Sequence, residues 1–506
     1  MAWLGLALLA LALALMMTTG WPTYAVLLGV CTLGALAGLA LGAFDLALLQ
    51  NLPWRIVGLL EHDLLQALAL YALVGALLHR LALAAHLYEG LRKLLARAVP
   101  RAAPVLAGMV LGLLLAPMNG SVGASLLTVA RTAGRGWARQ GLPAAQRTAL
   151  VAVTSTLGVI VPPSLVLLLL GDAMLRAHTE GMNLARQLAL PAATASESAG
   201  RIVNTQDILQ AALVPAAALL LGWLAVAWWG ARHVPHAKAT REPLSRPERW
   251  TLLLVPLLIG ALLVLVTLGR VRAVEGAATA CVLLLGWGAV SRQLTRAVLR
   301  QVLDDAMALT GALYALLAAA TTFSLLLRGF GTDGLVARLM LSLQAHPMLA
   351  LAALLAVLLA CAFVLDAFEL IFLVVPIVMP PVLAQLDDAA WVATLTLLVL
   401  QAGFLLPPFG YALVLARGQV APRAPVAAVA RALAPYLAVL AAVTALVMAL
   451  PATTRWLRAA PTALAPAEPM SEEALQRLMR EMAPPDTGED AAAPDTGQDV
   501  APPEEK

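Results

Sequence analysis

Two strings in this 506-residue sequence carry oxygen-rich, interrupted backbone inside otherwise apolar surroundings: Gly158-Val-Ile-Val-Pro-Pro-Ser-Leu and Gly403-Phe-Leu-Leu-Pro-Pro-Phe-Gly. A proline within a helix removes an amide donor and clashes with the preceding turn, so the pairs Pro162/Pro163 and Pro407/Pro408 predict two broken helices. An unwound helix frees carbonyls that a small hard cation can use as ligands. Near the first break we expect oxygens around Ser121 and Gly158, helped by the Thr156 hydroxyl. Near the second we expect those around Gly403 and Pro407, helped by Asp366 or Gln401. The stretches that restart at Ser164 and at Phe409 and Gly410 present positive helix ends and free amides, which suit a carboxylate.

Each break follows a polar interruption at nearly the same distance. Gly120 precedes Pro162 by 42 positions, and Asp366 precedes Pro407 by 41. The first interruption, Asn119-Gly120-Ser121-Val122-Gly123, is read as the tip of a re-entrant hairpin, with Asn119, Gly120, Ser121 and Gly123 toward the solute. The second hairpin runs from Pro347 to Ala384 and carries Asp366 and Glu369. Non-helical backbone at membrane depth survives only where protein or a watery cavity receives its polar groups. Other readings stand beside these. Asn119 could cap a hairpin arm, Ser121 and Thr156 could let helices approach closely, and Asp366 and Glu369 could brace their hairpin or serve the site directly.

The elements that position these residues must be membrane helices. With 61% hydrophobic and 12% charged residues and a mean hydropathy of +0.87, an ordinary soluble domain is excluded. About ten apolar runs have the length of a spanning helix, from Trp3 to Thr18 through to Leu433 to Leu450, in blocks of Leu and Ala without strand-like alternation. Cys31, Cys281 and Cys361 lie within such runs and read as packing residues. The first basic residue is Arg55, so the opening run lacks the start of a secretory signal and is expected to remain a helix. From Pro461 onward eleven acidic residues face three basic ones, an acidic tail too poor in apolar residues to fold unaided.

Basic loops tend to stay cytoplasmic. Arg92 to Arg101 and Arg131 to Arg147 are both basic yet separated by a single apolar stretch, which a re-entrant hairpin reconciles. Carrying this count onward points the two broken helices in opposite directions. The fold class expected is therefore an all-α polytopic membrane protein, an inverted-repeat transporter with two re-entrant hairpins and two broken helices. The organisation expected is scaffold helices over 1–100, a first transport repeat over 101–203, central scaffold helices over 204–328, the inverted repeat over 329–424, a final helix over 425–460 and a disordered acidic tail over 461–506. Arg176, Arg186 and Arg201 are assigned to an outer loop.

These same residues carry a family resemblance that covers nearly the whole chain. GSVGAS from Gly120 and TLGVIVPPSLVLLLLGD up to Asp172 resemble the first core block of large permease subunits of TRAP (tripartite ATP-independent periplasmic) transporters of the DctM type. FVLDAFELIFLVVPIVMPPV from Phe363 to Val382, with LQAGFLLPPFGYAL from Leu400, resembles the second. The resemblance implies an elevator-type carrier in the bacterial inner membrane, a symporter driven by sodium ions, with no other cofactor. It also implies a separate small four-helix membrane subunit and a periplasmic solute-binding protein as partners, a small organic anion as solute, and no nucleic acid. A sodium-coupled carboxylate carrier working without a binding protein shares the same hairpins and breaks. An intramembrane enzyme is disfavoured, because Ser121 has no nearby histidine base and Asp172 and Asp366 do not form a dyad in sequence.

Overall fold

In the computed structural model the described residues are 1–61, 63–81, 83–115, 122–162, 164–187, 204–233, 243–343, 345–386 and 388–457. All regular structure among them is helical. Seven helices are long and apolar enough to cross a bilayer, and up to nine if two bent pairs each count as one span. The chain is thus a multi-pass membrane protein. The straight crossings include Ala2–Thr19, Thr23–Ala40, Thr205–Gly230, Arg246–Thr267, Ala273–Val290, Arg296–Gly329 and Val426–Ala449. Leu221, Leu257, Val282 and Val290 point outward from them and are more than half exposed, which only a hydrocarbon solvent tolerates in such numbers.

Four further apolar helices are shorter: Ala103–Leu115, Pro347–Cys361, Ala367–Leu383 and Ala389–Leu405. At 1.5 Å per residue, a 13-residue arm reaches about 20 Å, well short of a hydrocarbon core of about 30 Å. Ala103–Leu115 with Val122–Arg131, and Pro347–Cys361 with Ala367–Leu383, are accordingly the two hairpins, and the stretch from Pro347 to Phe363 is an arm rather than a crossing. The turn of the first hairpin, with Asn119, Gly120 and Ser121, lies outside the described residues, as does Pro163; Gly123 stands in the first turn of the returning arm.

The first broken helix is Ala144–Ile160 followed by Leu165–Gln187, bent by 43°. The second is Ala389–Leu405 followed by Tyr411–Gln419. They interlock with the hairpins reciprocally. The later stretch of the first broken helix packs on the returning arm of the second hairpin, and the later stretch of the second packs on the returning arm of the first. Gly181 makes the first contact possible, since a methyl group there would stand 2.6 Å from the carbonyl oxygen of Pro380.

The scaffold shows the same exchange between halves. Thr23–Ala40 lies along Arg296–Gly329, while Ala273–Val290 lies along Asp63–Arg80. Two amphipathic helices join scaffold to hairpins. Leu83–Leu95 buries Leu83, Leu87 and Leu91, four residues apart, and bridges the first hairpin to Arg246–Thr267. Thr332–Leu341 bridges the second hairpin to Ala2–Thr19. The former junction is pinned by Lys93, whose Nζ lies 2.8 and 3.0 Å from the two carboxylate oxygens of Glu248.

One assignment is corrected. Arg176 and Arg186 are not in a loop but on the helix Leu165–Gln187; Arg201 lies outside the described residues. After Gly171 the sequence loses its continuous apolar run yet keeps helical spacing, with Ala173, Met174, Ala177 and Ala185 buried. The Asp172 carboxylate lies 3.0 Å from the Arg176 guanidinium one turn on, an added helix-favouring pair.

Candidate functional site

The two breaks follow from which amides the prolines remove. In an α-helix the carbonyl of residue i accepts from the amide of residue i+4. Prolines at 162 and 407 therefore leave the carbonyls of Gly158 and Gly403 without helical donors. At the first break the last helical bond runs from the amide of Val161 to the carbonyl of Leu157, at 3.1 Å. The Ser164 hydroxyl then closes the gap. It donates to the carbonyl oxygen of Gly158 and accepts from the amide of Leu167 at 3.4 Å, so it caps the following stretch. Ser164 is completely buried.

The second break lacks that device. Aligned on the proline pairs, Phe409 occupies the place of Ser164, and it is 66% exposed. Pro408 is also exposed. The chain turns instead through Gly410, whose amide donates to Leu406 at 2.9 Å and whose Cα faces the carbonyl of Phe404. Pro407 is half-buried beside it. Among the described residues, no side-chain hydroxyl reaches the Gly403 carbonyl as Ser164 reaches that of Gly158.

Thr156 and Gln401 each stand two residues before the glycine of their break, so they occupy equivalent positions in the two repeats. The structure brings them together: Gln401 Nε2 donates to Thr156 Oγ1 at 2.9 Å, across 245 residues of sequence. Both side chains are fully buried. Residues at equivalent positions meet where the axis relating the repeats passes, so this bond marks the centre of the molecule's internal symmetry. The direction of the bond is decided by protons. The Thr156 hydroxyl gives its one hydrogen to the Val153 carbonyl at 3.0 Å, and can only accept from the glutamine amide nitrogen. The amide oxygen of Gln401 is thereby turned away, buried, and without a hydrogen-bond partner among the described residues. The Thr154 hydroxyl oxygen, two residues earlier on a side chain that faces Gly112 of the first hairpin, is in the same condition.

The second hairpin reaches this centre at Gly403. A methyl group added there would lie 2.4 Å from the Cβ of Ala362, at the end of the hairpin's first arm. Asp366 begins the returning arm. Its carboxylate accepts from the amide of Glu369 at 2.9 Å, and the Glu369 carboxylate accepts from the amide of Asp366 at 2.9 Å. This reciprocal capping box fixes the turn. The other oxygen of Glu369 accepts from the Thr23 hydroxyl, on a scaffold helix. No group of three or more His, Cys, Asp or Glu side chains placed to hold a metal ion exists among the described residues.

Between the hairpin and broken-helix unit and the scaffold lie two adjoining cavities that sequence reasoning missed. One, of about 270 Å³, is lined by Arg55, Asp172, Arg176, Thr321 and, from the hairpin, Ile371 and Phe372. Ile371 and Phe372 stand in a single π-type turn, Leu370–Val374, that widens the helix there. The other, of about 370 Å³, is lined by Asn183, Asp333 and Pro380. Glu180, Ser324, Arg328 and Pro376 border both. Glu180 and Arg328 form an ion pair at 2.5 Å across that shared boundary, one partner on the first broken helix and the other on the scaffold. Only the mixed polarity after Gly171 could have hinted at it in sequence.

A family model described as "Tripartite ATP-independent periplasmic transporter, DctM component" matches residues 7–453. Comparison with curated proteins finds no match. Among solved structures, the YdaH transporter of Alcanivorax borkumensis, whose crystal structure is described as revealing an unusual topology, is similar with a TM-score of 0.57. That likeness covers 80% of this chain and 88% of the other at 15% identity, and it concerns the fold.

Proposed function

This chain belongs to the DctM family, the large membrane component of tripartite ATP-independent periplasmic transporters, and on that premise we propose that it imports a small organic anion, a carboxylate, coupled to sodium. It works in the bacterial inner membrane, basic loops cytoplasmic, with a separate small four-helix subunit and a periplasmic binding protein that delivers the solute. The hairpins and broken helices move together as an elevator past the scaffold, and the cavities along Glu180 and Arg328 lie on the sliding boundary.

The observation that carries this reading is the buried amide oxygen of Gln401 beside the breaks, which has no hydrogen-bond partner among the described residues. Leaving such an acceptor unmet costs about 1–3 kcal/mol, and a cation offsets that cost. Sodium is held by this oxygen, the Thr156 hydroxyl and the carbonyls around Gly403 and Gly158. The solute carboxylate meets the first hairpin's tip and the positive helix end that restarts after Phe409 and Gly410. Ser164 and Asp366 act as braces, the first capping its helix and the second closing its hairpin.

The test is uptake of a panel of labelled carboxylates into proteoliposomes holding the chain with both partners. Uptake is expected with an inward sodium gradient and not with a proton gradient alone. Gln401→Leu, which removes one ligand oxygen, is expected to raise the half-saturating sodium concentration about 5- to 150-fold, the equivalent of about 1–3 kcal/mol. Sodium-independent uptake, or an unchanged sodium dependence in Gln401→Leu, overturns the assignment.

A further inference from the structure

Away from the breaks, the end of Thr205–Gly230, the start of Val426–Ala449 and the start of the first broken helix enclose a cleft of about 470 Å³. Its walls are largely apolar, with Val105, Leu150, Pro435 and the rings of Tyr436 and Trp229 among them. One cation, Arg431, is part of the wall. A second adjoins it: Arg232 follows the lining residue Ala231, and its guanidinium lies 4.5 Å from the ring centre of Trp229, which lines the cleft, and 4.1 Å from that of Trp228. Both indoles are open to the surroundings, Trp229 at 62% and Trp228 at 42% exposure.

The charge of this cleft is not balanced from within. The sequence holds no Asp or Glu between Glu89 and Asp172, between Asp207 and Glu242, or between Asp388 and Glu468. Every wall is drawn from those acid-free stretches. Neither Arg232 nor Arg431 makes an ion pair among the described residues. Arg147, beside the cleft, already donates to the carbonyl of Ala421 at 2.9 Å. Two guanidinium groups without an acidic partner among the described residues, Arg431 in the wall and Arg232 beside it, thus accompany an apolar slot at a helix end bearing exposed indoles. That composition belongs to the membrane boundary, and basic pockets between membrane helices hold anionic lipid head groups.

We infer that this cleft binds one anionic phospholipid, with its phosphate between Arg431 and Arg232 and an acyl chain along Val105 and Leu150. A lipid fits both halves of the site. A free inorganic anion would meet the arginines and leave the apolar wall wet. The chain's own acidic residues 461–506 would supply charge with few apolar side chains to fill the slot.

The experiment is native mass spectrometry of the full chain in neutral detergent, titrated with phosphatidylglycerol and phosphatidylcholine of identical acyl chains. One phosphatidylglycerol is expected to be retained about thirtyfold over phosphatidylcholine, roughly fivefold from each arginine. Arg431→Gln is expected to lower the preference about fivefold, Arg232→Gln/Arg431→Gln to abolish it, and Arg232→Lys/Arg431→Lys to keep most of it. Equal retention of the two lipids by the wild type overturns the inference, as does an unchanged preference in Arg431→Gln. Displacement of the lipid by millimolar inorganic phosphate assigns the arginines to a soluble anion instead. Displacement by a synthetic peptide of residues 461–506 assigns the cleft to the acidic tail. Either of these results also overturns it.

Discussion

Gly403→Ala is the most direct probe of how the second hairpin meets the second break. The added methyl would stand 2.4 Å from the Cβ of Ala362, where ordinary contact begins at 3.4 Å. Both carbons are fixed to backbone, so no rotamer change relieves the overlap, and one element must retreat by about 1 Å. Overpacking of this kind costs about 1–3 kcal/mol. Initial uptake rates in proteoliposomes, with thermal melting of the purified protein, are the assay. The single variant is expected to melt earlier and to transport at least about fivefold more slowly, the equivalent of about 1 kcal/mol. Ala362→Gly removes the opposing methyl, so Ala362→Gly/Gly403→Ala restores the fit by moving one methyl across the contact. Wild-type behaviour of Gly403→Ala refutes the reasoning, and so does a double variant no better than the single.

Further expectations follow from the same contacts. Asp366→Asn should keep its melting temperature and most of its uptake, because asparagine caps a helix as well as aspartate, whereas Asp366→Ala should lose about 1 kcal/mol of stability by thermal melting; loss of uptake in Asp366→Asn would make the charge itself essential. Thr156→Val should weaken the sodium dependence of uptake in the same direction as Gln401→Leu, and should also cost about 1–3 kcal/mol in thermal melting, because it leaves the buried Nε2 of Gln401 without its acceptor. Glu180 and Arg328 keep 41% and 39% side-chain exposure, so Arg328→Ala should cost only about 0–1 kcal/mol in stability; the charge swap Glu180→Arg/Arg328→Glu should transport better than either half alone. Lys93→Met strands Glu248, whose side chain is 10% exposed, and should destabilise by about 3 kcal/mol in chemical or thermal unfolding.

Much of the architecture was legible because membrane helices advertise themselves and because proline acts locally. The pairs at 162–163 and 407–408 remove amides regardless of context, and the spacing of Gly120 and Asp366 from them showed a repeated plan. The hidden parts depend on partners far away in sequence or on weak periodicity. Leu83–Leu95, Thr332–Leu341 and the stretch after Gly171 are amphipathic rather than uniformly apolar, so a search for greasy runs passes over them. Thr156 and Gln401 could each be named as oxygen donors, but their meeting needs the repeats to be folded onto one another. The sequence marks Ser164 as a helix start with free amides for a solute; only the structure shows its hydroxyl engaged with Gly158 and Leu167. The proximity of Gly403 to Ala362, like the ion pair of Glu180 with Arg328, leaves no trace in local pattern.

The exchange of helices between the two halves bears on how the chain is made. Asp63–Arg80 finds its neighbours in Ala273–Val290 and Arg296–Gly329, and Thr23–Ala40 also rests on the latter. During synthesis the early helices therefore enter the bilayer more than 200 residues before the surfaces that cover them leave the ribosome. They must wait in lipid as separate helices, shielded by hydrocarbon rather than by protein. Either half alone lacks the other side of its own wall.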